Sequence, residues 1–335
     1  MLTDHLPRQR FCYLPTPLEP LPRLSAAIGA DIWIKRDDRS GLSFGGNKGR
    51  IFEFVFGDVV QKGCDLVITA SGVQSNHLRE ATAAAIRCGV KSWIVLLGCT
   101  GTEAVQGNLL LFDLLGAEVH RLEEKNYFSP ALEDKFTELM ARARAEGYKP
   151  YLQHRSNQTG TMGSVAHVAA AEELEQQFAA QGLKPRWIVV PSGSGSTIAG
   201  YILGHKHLAS SARVLGIGLS EPNAVSIPSI QRYCELAAEM IGIDTSVESA
   251  DYTVRDEYIG PGHGVVTPEV KAAIELVART EGIFLDPTYT GKAMAGLIRE
   301  VEQGRIRKGE PVVFVHTGGL PALFVQAQAL SRTSR

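Results

Sequence analysis

Lys48 follows two glycines and an asparagine in Ser43-Phe44-Gly45-Gly46-Asn47-Lys48, just beyond a strand-like Ile32-Trp33-Ile34-Lys35-Arg36. A lysine presented by small neighbours at a strand-to-helix junction suits Schiff-base chemistry, because a carbonyl-bearing ring reaches the amine without meeting side chains. The same segment also suits a solvated lysine at the start of a helix. The other polar motifs along the chain bear on that choice.

Thr69-Ala70-Ser71-Gly72-Val73-Gln74-Ser75-Asn76-His77 runs from a strand end through small polar residues into a helix start. Amides there are unpaired and lie at the positive end of the helix dipole, where carboxylates bind. A substrate carboxylate is one use of this segment, and plain capping by Ser75 or Asn76 is the other. Val190-Pro191-Ser192-Gly193-Ser194-Gly195-Ser196-Thr197-Ile198-Ala199-Gly200 is an apolar strand opening into a Gly/Ser/Thr loop. Glycines admit close approach while hydroxyls and N–H groups surround a dianion, so this reads as a phosphate cradle. A dinucleotide fingerprint, with Glu221 on a ribose, needs glycine where Ile198 stands. Two later segments, Leu285-Asp286-Pro287-Thr288-Tyr289-Thr290-Gly291-Lys292 and His316-Thr317-Gly318-Gly319-Leu320-Pro321-Ala322, bring hydroxyls to strand ends. Singly, both are ordinary turn punctuation.

The elements that position these motifs alternate short β-branched runs with longer amphipathic stretches, the pattern of βα units in a parallel sheet. Strands are predicted at 66–69, 92–96, 118–121, 187–190, 214–217 and 312–315, and helices at 48–61, 76–87, 107–115, 131–145 and 162–180. Breaks are expected near Tyr148-Lys149-Pro150 and at Gly182-Leu183-Lys184-Pro185. The 335 residues, 44% hydrophobic, are enough for one large or two medium cores.

Charge narrows the function classes. With 34 basic and 36 acidic residues interspersed, for a net charge of -2, there is no basic stripe for nucleic acid or an anionic membrane. The first residues lack a signal-peptide pattern and no long apolar run occurs, so a cytoplasmic protein without a membrane segment is expected. Five scattered cysteines form no C-x-x-C pair, and His205 and His207 lie on different helical faces, so neither a disulfide framework nor a metal site is expected.

Taken in order, the motifs resemble the pyridoxal-phosphate enzymes of the tryptophan synthase β-subunit fold (fold type II), and within it the D-cysteine desulfhydrase and 1-aminocyclopropane-1-carboxylate (ACC) deaminase family. The resemblance runs from Leu14-Pro15-Thr16-Pro17-Leu18-Glu19 through Ile34-Lys35-Arg36-Asp37-Asp38, Gly45-Gly46-Asn47-Lys48 and Gln74-Ser75-Asn76-His77 to the Asp286 and His316 segments. It implies a two-domain α/β fold of parallel sheets flanked by helices. The large cofactor-binding domain comprises 1–48 and 161–335, and the small domain 49–160. It implies that Lys48 forms the Schiff base with pyridoxal 5'-phosphate, that Asn76 hydrogen-bonds the ring oxygen, and that Ser194, Gly195, Ser196 and Thr197 hold the phosphate. Ser75 and the amides of Asn76 and His77 take the substrate carboxylate, Tyr289 is an active-site tyrosine, and Thr317 meets the ring nitrogen. A homodimer acting on a small amino acid is implied as well.

Three positions refine the expectation. The deaminase carries glutamate where neutral Thr290 stands, and a carboxylate near the ring nitrogen makes a stronger electron sink, as ring opening needs. Thr290 therefore points to β-elimination of a good leaving group, with D-cysteine the leading substrate and pyruvate, ammonia and hydrogen sulfide the products. His263, in Ile259-Gly260-Pro261-Gly262-His263-Gly264, stands where the family has tyrosine. It is a candidate acid, base or anion-binding group at the distal end of the substrate, or a plain turn residue. Arg155, in His154-Arg155-Ser156-Asn157, is a candidate partner for a second anionic group such as that of cysteate or hydroxyaspartate, or a plain surface arginine. The remaining alternatives are another outcome on the same cofactor (deaminase or racemase), a non-catalytic cofactor-binding protein, and a nicotinamide oxidoreductase.

Overall fold

The computed structural model describes residues 1–154 and 157–331. Its strands are β1 (Leu18–Pro20), β2 (Asp31–Lys35), β3 (Leu66–Gly72), β4 (Lys91–Leu97), β5 (Glu118–Leu122), β6 (Pro150–Gln153), β7 (Trp187–Ser192), β8 (Arg213–Gly218), β9 (Tyr252–Arg255) and β10 (Pro311–Val315). The helices that matter to the site are α1 (Pro22–Ile28), α2 (Asn47–Gln61), α3 (Asn76–Arg87), α4 (Asn108–Leu114), α5 (Pro130–Ala145), α6 (Asn157–Gln181), α7 (Ser196–His207), α8 (Asn223–Ile241), α9 (Pro268–Glu281) and α10 (Thr290–Glu302).

Two sheets result. One has six strands in the order β1-β2-β10-β7-β8-β9, parallel except for β1, and the other has four parallel strands in the order β5-β4-β3-β6. Helices cover the sheets, which is why β4, β7 and β10 are near-continuous apolar runs rather than alternating ones. One buried cluster joins Val67 under the smaller sheet to Phe52 and Phe56 on α2, Val165 on α6, and Ile188 and Val190 on β7. The two sheets therefore share a core.

Local chemistry starts the helices. Ser129 and Thr267 cap α5 and α9 through their hydroxyls, each followed by proline at the first helical position. The break expected near Tyr148-Lys149-Pro150 falls in the turn between α5 and β6. Pro150 opens strand β6, which pairs with β3 from Leu66 to Thr69. Proline cannot donate to a ladder, but it is tolerated as the first residue of an edge strand. The Asp286–Tyr289 segment differs from expectation, since it is a turn that starts α10 and not a strand end.

Among the described residues, no helix is long and apolar enough to cross a membrane. Cys99 and Cys234 are buried, and the other three cysteines are half-buried.

Candidate active site

Parallel strands put their carboxyl ends on one edge, and that edge carries the polar motifs. Past β2 the chain turns through Asp37 to Gly46, and Lys48 stands in the first turn of α2, half-buried. The loop is closed by Gly46 N–H donating to Asp37 O at 3.0 Å and by Ser40 Oγ donating to Gly46 O at 2.8 Å. Gly45 has φ +73°, and a Cβ there would lie 2.1 Å from Asp38 O, so only glycine fits this turn.

Beneath the loop lies a buried ionic cluster. Arg50 on α2 bonds Asp37 at 2.9 Å, Glu173 on α6 at 2.8 Å and Thr16 Oγ1 at 3.0 Å, and Lys35 at the end of β2 also pairs with Glu173. Burial alone would raise the Asp37 carboxyl, yet the charges of Arg50 and Lys35 hold it below its ordinary value. Two cations face two anions, so the cluster is neutral and satisfied, and it pins both ends of the lysine loop.

Three contacts bring the motifs to Lys48. Asn47 Nδ2 donates to Thr197 Oγ1 at 2.9 Å, and Asn47 N–H donates to Thr317 O at 3.1 Å. From the smaller sheet, Arg79 on α3 donates to Gly45 O at 3.1 Å and to Asn76 Oδ1 at 2.7 Å. The lysine loop thus touches the Ser194–Thr197 loop and the Thr317 segment directly, and the Ser75–His77 helix start through Arg79. Glu80, buried on α3, points at the same loop, with Oε1 2.9 Å from where a Cβ on Gly46 would be. Burial pushes its carboxyl up to about 8, against the opposing charges of Arg79 and Lys48.

The loop after β7 has the shape of an anion cradle. Gly195 is left-handed at the N-cap of α7 and supplies no side-chain cap, so the first-turn amides stay available. A Cβ on Gly193 would meet only Leu219 Cδ1 at 3.9 Å among the described residues, which leaves open space above the loop, and the buried Ser192 Oγ has no partner among them. Ser194 is exposed, while Ser196 and Thr197 are buried.

At the start of α3, Ser75 Oγ accepts from Leu78 N–H at 3.2 Å. The hydroxyl is a helix cap, and its own proton is still available to a ligand. The His77 ring packs on Phe52 at 4.9 Å and bonds Gln153.

On the far side, His263 meets Tyr289 edge-on, with ring centroids 5.5 Å apart. His263 is exposed and Tyr289 half-buried. Asp286 accepts from the amides of Thr288, Tyr289 and Thr290 and from Thr290 Oγ1, all at 2.8 or 2.9 Å, which builds the turn that aims Tyr289. Thr290 Oγ1 also accepts from Asp286 N–H at 2.9 Å, so this hydroxyl is consumed by the turn. Lys292 is 2% exposed and donates to Leu219 O, Ile259 O and Gly262 O, matching three protons to three carbonyls around the His263 loop. Burial lowers its pKa. Arg155 lies outside the described residues.

Sequence reasoning did not single out Arg79, Glu80, Asn108 or the Arg50 cluster. The available signal was the pair of adjacent charges Arg79-Glu80 in a helix otherwise small and apolar from Leu78 to Ala85.

Comparison with known proteins agrees with this geometry. A profile of the pyridoxal-phosphate dependent enzyme family matches residues 10–318. The D-cysteine desulfhydrase of Klebsiella pneumoniae (strain 342) is 39% identical over 322 residues, which is 95% of each chain. A crystal structure of an ACC deaminase homologue superposes with a TM-score of 0.87 at 36% identity, over 98% of this chain and 97% of the other. Threonine deaminase isoform 2 from Solanum lycopersicum shares the fold, with a TM-score of 0.64 at 19% identity over 96% and 84% of the two chains. The residues present fit the cofactor of that family: an open glycine cradle with an unpartnered buried hydroxyl for a phosphate, and a lysine in a glycine loop next to it.

Proposed function

This chain belongs to the family of pyridoxal-phosphate-dependent enzymes and is a lyase of its D-cysteine desulfhydrase and ACC deaminase branch, and we propose that it performs α,β-elimination on a small amino acid, with D-cysteine as the substrate. D-cysteine and water give pyruvate, ammonia and hydrogen sulfide.

Pyridoxal 5'-phosphate bound here supplies an electron-withdrawing ring that stabilises negative charge at the substrate's α-carbon. Ser194, Gly195, Ser196 and Thr197 hold its phosphate, Lys48 anchors it, Asn76 donates to its ring oxygen, and the Thr317 hydroxyl faces its ring nitrogen. Ser75 Oγ and the first-turn amides of Asn76 and His77 bind the substrate carboxylate at the positive end of α3. That contact orients the α-hydrogen toward Lys48 Nζ, which removes it as a proton. Tyr289 and His263 line the side where the β-substituent departs, and either can hand a proton to the leaving thiolate. In this reading residues 1–48 and 161–335 form the large domain and 49–160 the small one. The cofactor lies between them, and the working unit is a homodimer.

The observation that carries the choice of elimination over ring opening is Thr290. Position 290 has no carboxylate, and its hydroxyl is tied at both ends to Asp286. A neutral partner leaves the ring a weaker electron sink, which suffices when thiolate leaves. His263 favours a second reading, in which an acidic β-substituent such as that of cysteate is taken, because an exposed imidazole beside Tyr289 suits an anion.

The test is the visible absorbance of the purified holoenzyme on addition of D-cysteine, with pyruvate and sulfide measured in the same sample. A spectral change with both products establishes the proposal. A visible band that D-cysteine leaves without either product removes D-cysteine, and cysteate and 3-hydroxyaspartate then become the substrates to assay.

A further inference from the structure

The two ends of an asparagine amide match in shape and differ in chemistry, so which end faces a ligand is decided by the groups behind it. Asn76 Oδ1 accepts from Arg79 Nη1 at 2.7 Å and from Asn108 Nδ2 at 3.0 Å. Asn108 Oδ1 accepts from that same Arg79 nitrogen at 3.1 Å, and Asn108 Nδ2 also donates to Gln74 O at 2.8 Å. A guanidinium has donors and no acceptor, so each group that faces Arg79 must turn oxygen toward it. The direction of one amide therefore sets the next, and reversing either would put N–H against N–H.

Arg79 itself has nowhere else to go. It has no exposed surface, and its other terminal nitrogen is held by Gly45 O at 3.1 Å and Glu80 Oε1 at 3.0 Å. One buried cation thus joins Asn76, Asn108 and the loop that carries Lys48. Asn76 Nδ2 is the end left over, and it has no hydrogen-bond partner among the described residues.

We propose that Arg79, directly and through Asn108, is the positioning residue that holds the Asn76 amide with its N–H side toward the cofactor's ring oxygen. This rests on the reading of Asn76 as the donor to that oxygen. A donor fixed on an anionic oxygen favours its unprotonated form and lowers the pH at which the bound cofactor's visible absorbance titrates. The charged groups that bear on this titration are Lys48 on α2 and Arg79 and Glu80 on α3.

The experiment is a pH titration of the holoenzyme's visible absorbance, with cofactor retention measured by dialysis. Five chains are compared: Asn76→Ala, Glu80→Gln, Asn76→Ala with Glu80→Gln, Arg79→Met with Glu80→Gln, and all three substitutions together. Because Glu80 itself titrates near pH 8, Glu80→Gln removes that neighbouring titration and is the background in which Arg79 is replaced. Relative to Glu80→Gln, loss of Arg79 is expected to raise the midpoint by about one pH unit and to weaken retention about tenfold. In the Asn76→Ala background it is expected to move the midpoint no further. A midpoint unmoved by loss of Arg79, or a shift that persists in full without Asn76, overturns the proposal. If Asn76→Ala alone leaves the midpoint in place, it is the ring-oxygen reading of Asn76 that fails. Should the Arg79 variant not fold, Asn108→Asp replaces it: it sets a carboxylate oxygen against Asn76 Oδ1, and a midpoint shift that requires Asn76 is again the expected result, a shift independent of Asn76 the overturning one.

Discussion

The Asn47 amide donates to Thr197 Oγ1 at 2.9 Å, so the residue immediately before Lys48 is bonded to the loop shaped for a phosphate. Lysine and phosphate loop are registered by a buried side-chain bond between α2 and α7. Asn47→Ala removes the donor and Thr197→Val the acceptor. Each is expected to weaken cofactor binding about 5- to 30-fold while leaving the fold intact. Equilibrium dialysis with pyridoxal 5'-phosphate checks this, and unchanged affinity in both variants would refute it.

Lys292 latches the loop of His263 by donating to Ile259 O and Gly262 O. Lys292→Met keeps the length of the side chain and strips the three donors. The His263 loop then loses its register against Tyr289, and kcat/KM for the amino acid is expected to fall about ten- to a hundredfold. The visible absorbance of the bound cofactor, set on the other side of the site, should be unaltered. Steady-state kinetics and a spectrum of the same sample separate the two effects.

Glu80 makes stability depend on pH. Burial lifts its carboxyl from an ordinary 4.5 to about 8. Between those values the folded chain holds a proton that the unfolded chain releases, so stability falls as pH rises across the window, by at most about 1.4 kcal/mol per pH unit. Glu80→Gln has no such proton. Urea unfolding of the cofactor-free protein from pH 5 to 9 should show a downward slope in the parent that the variant lacks, and parallel curves would sink the assignment.

Arg50 is the hub of the cluster under the lysine loop. Arg50→Met leaves Asp37 and Glu173 buried with only Lys35 between them. Breaking a buried ionic group on one side costs about 3 to 5 kcal/mol. Denaturant unfolding is expected to show a loss of that size, and restoring balance with Glu173→Gln in the same chain should recover part of it. No recovery would mean that the arginine acts by packing alone.

Much of the scaffold was legible because its signals are local. The central strands β3, β4, β7 and β10 are buried along most of their length and carry contiguous apolar stretches, and helices such as α3 and α5 show three- and four-residue apolar spacing. The strands that went unread, β1, β6 and β9, all lie at sheet edges and have only three or four residues. An edge strand needs little apolar surface, and at β6 it even begins with proline, which reads as a break until β3 is seen beside it.

By itself the sequence determined the chemical vocabulary of this protein: a lysine among glycines, a Gly/Ser/Thr loop after an apolar strand, a Ser-Asn helix start, and histidine at 263 and threonine at 290. Each is a motif of contiguous residues, whose meaning follows from backbone freedom and side-chain type. Tertiary structure alone decided how those words are ordered in space. Arg79 reaches Gly45 across 34 positions of chain, Asn47 reaches Thr197 across 150, and Arg50 reaches Glu173 across 123. Such partners are chosen by which groups remain unsatisfied once two sheets share a core, because a buried charge or amide that finds no partner costs more than the fold can spare.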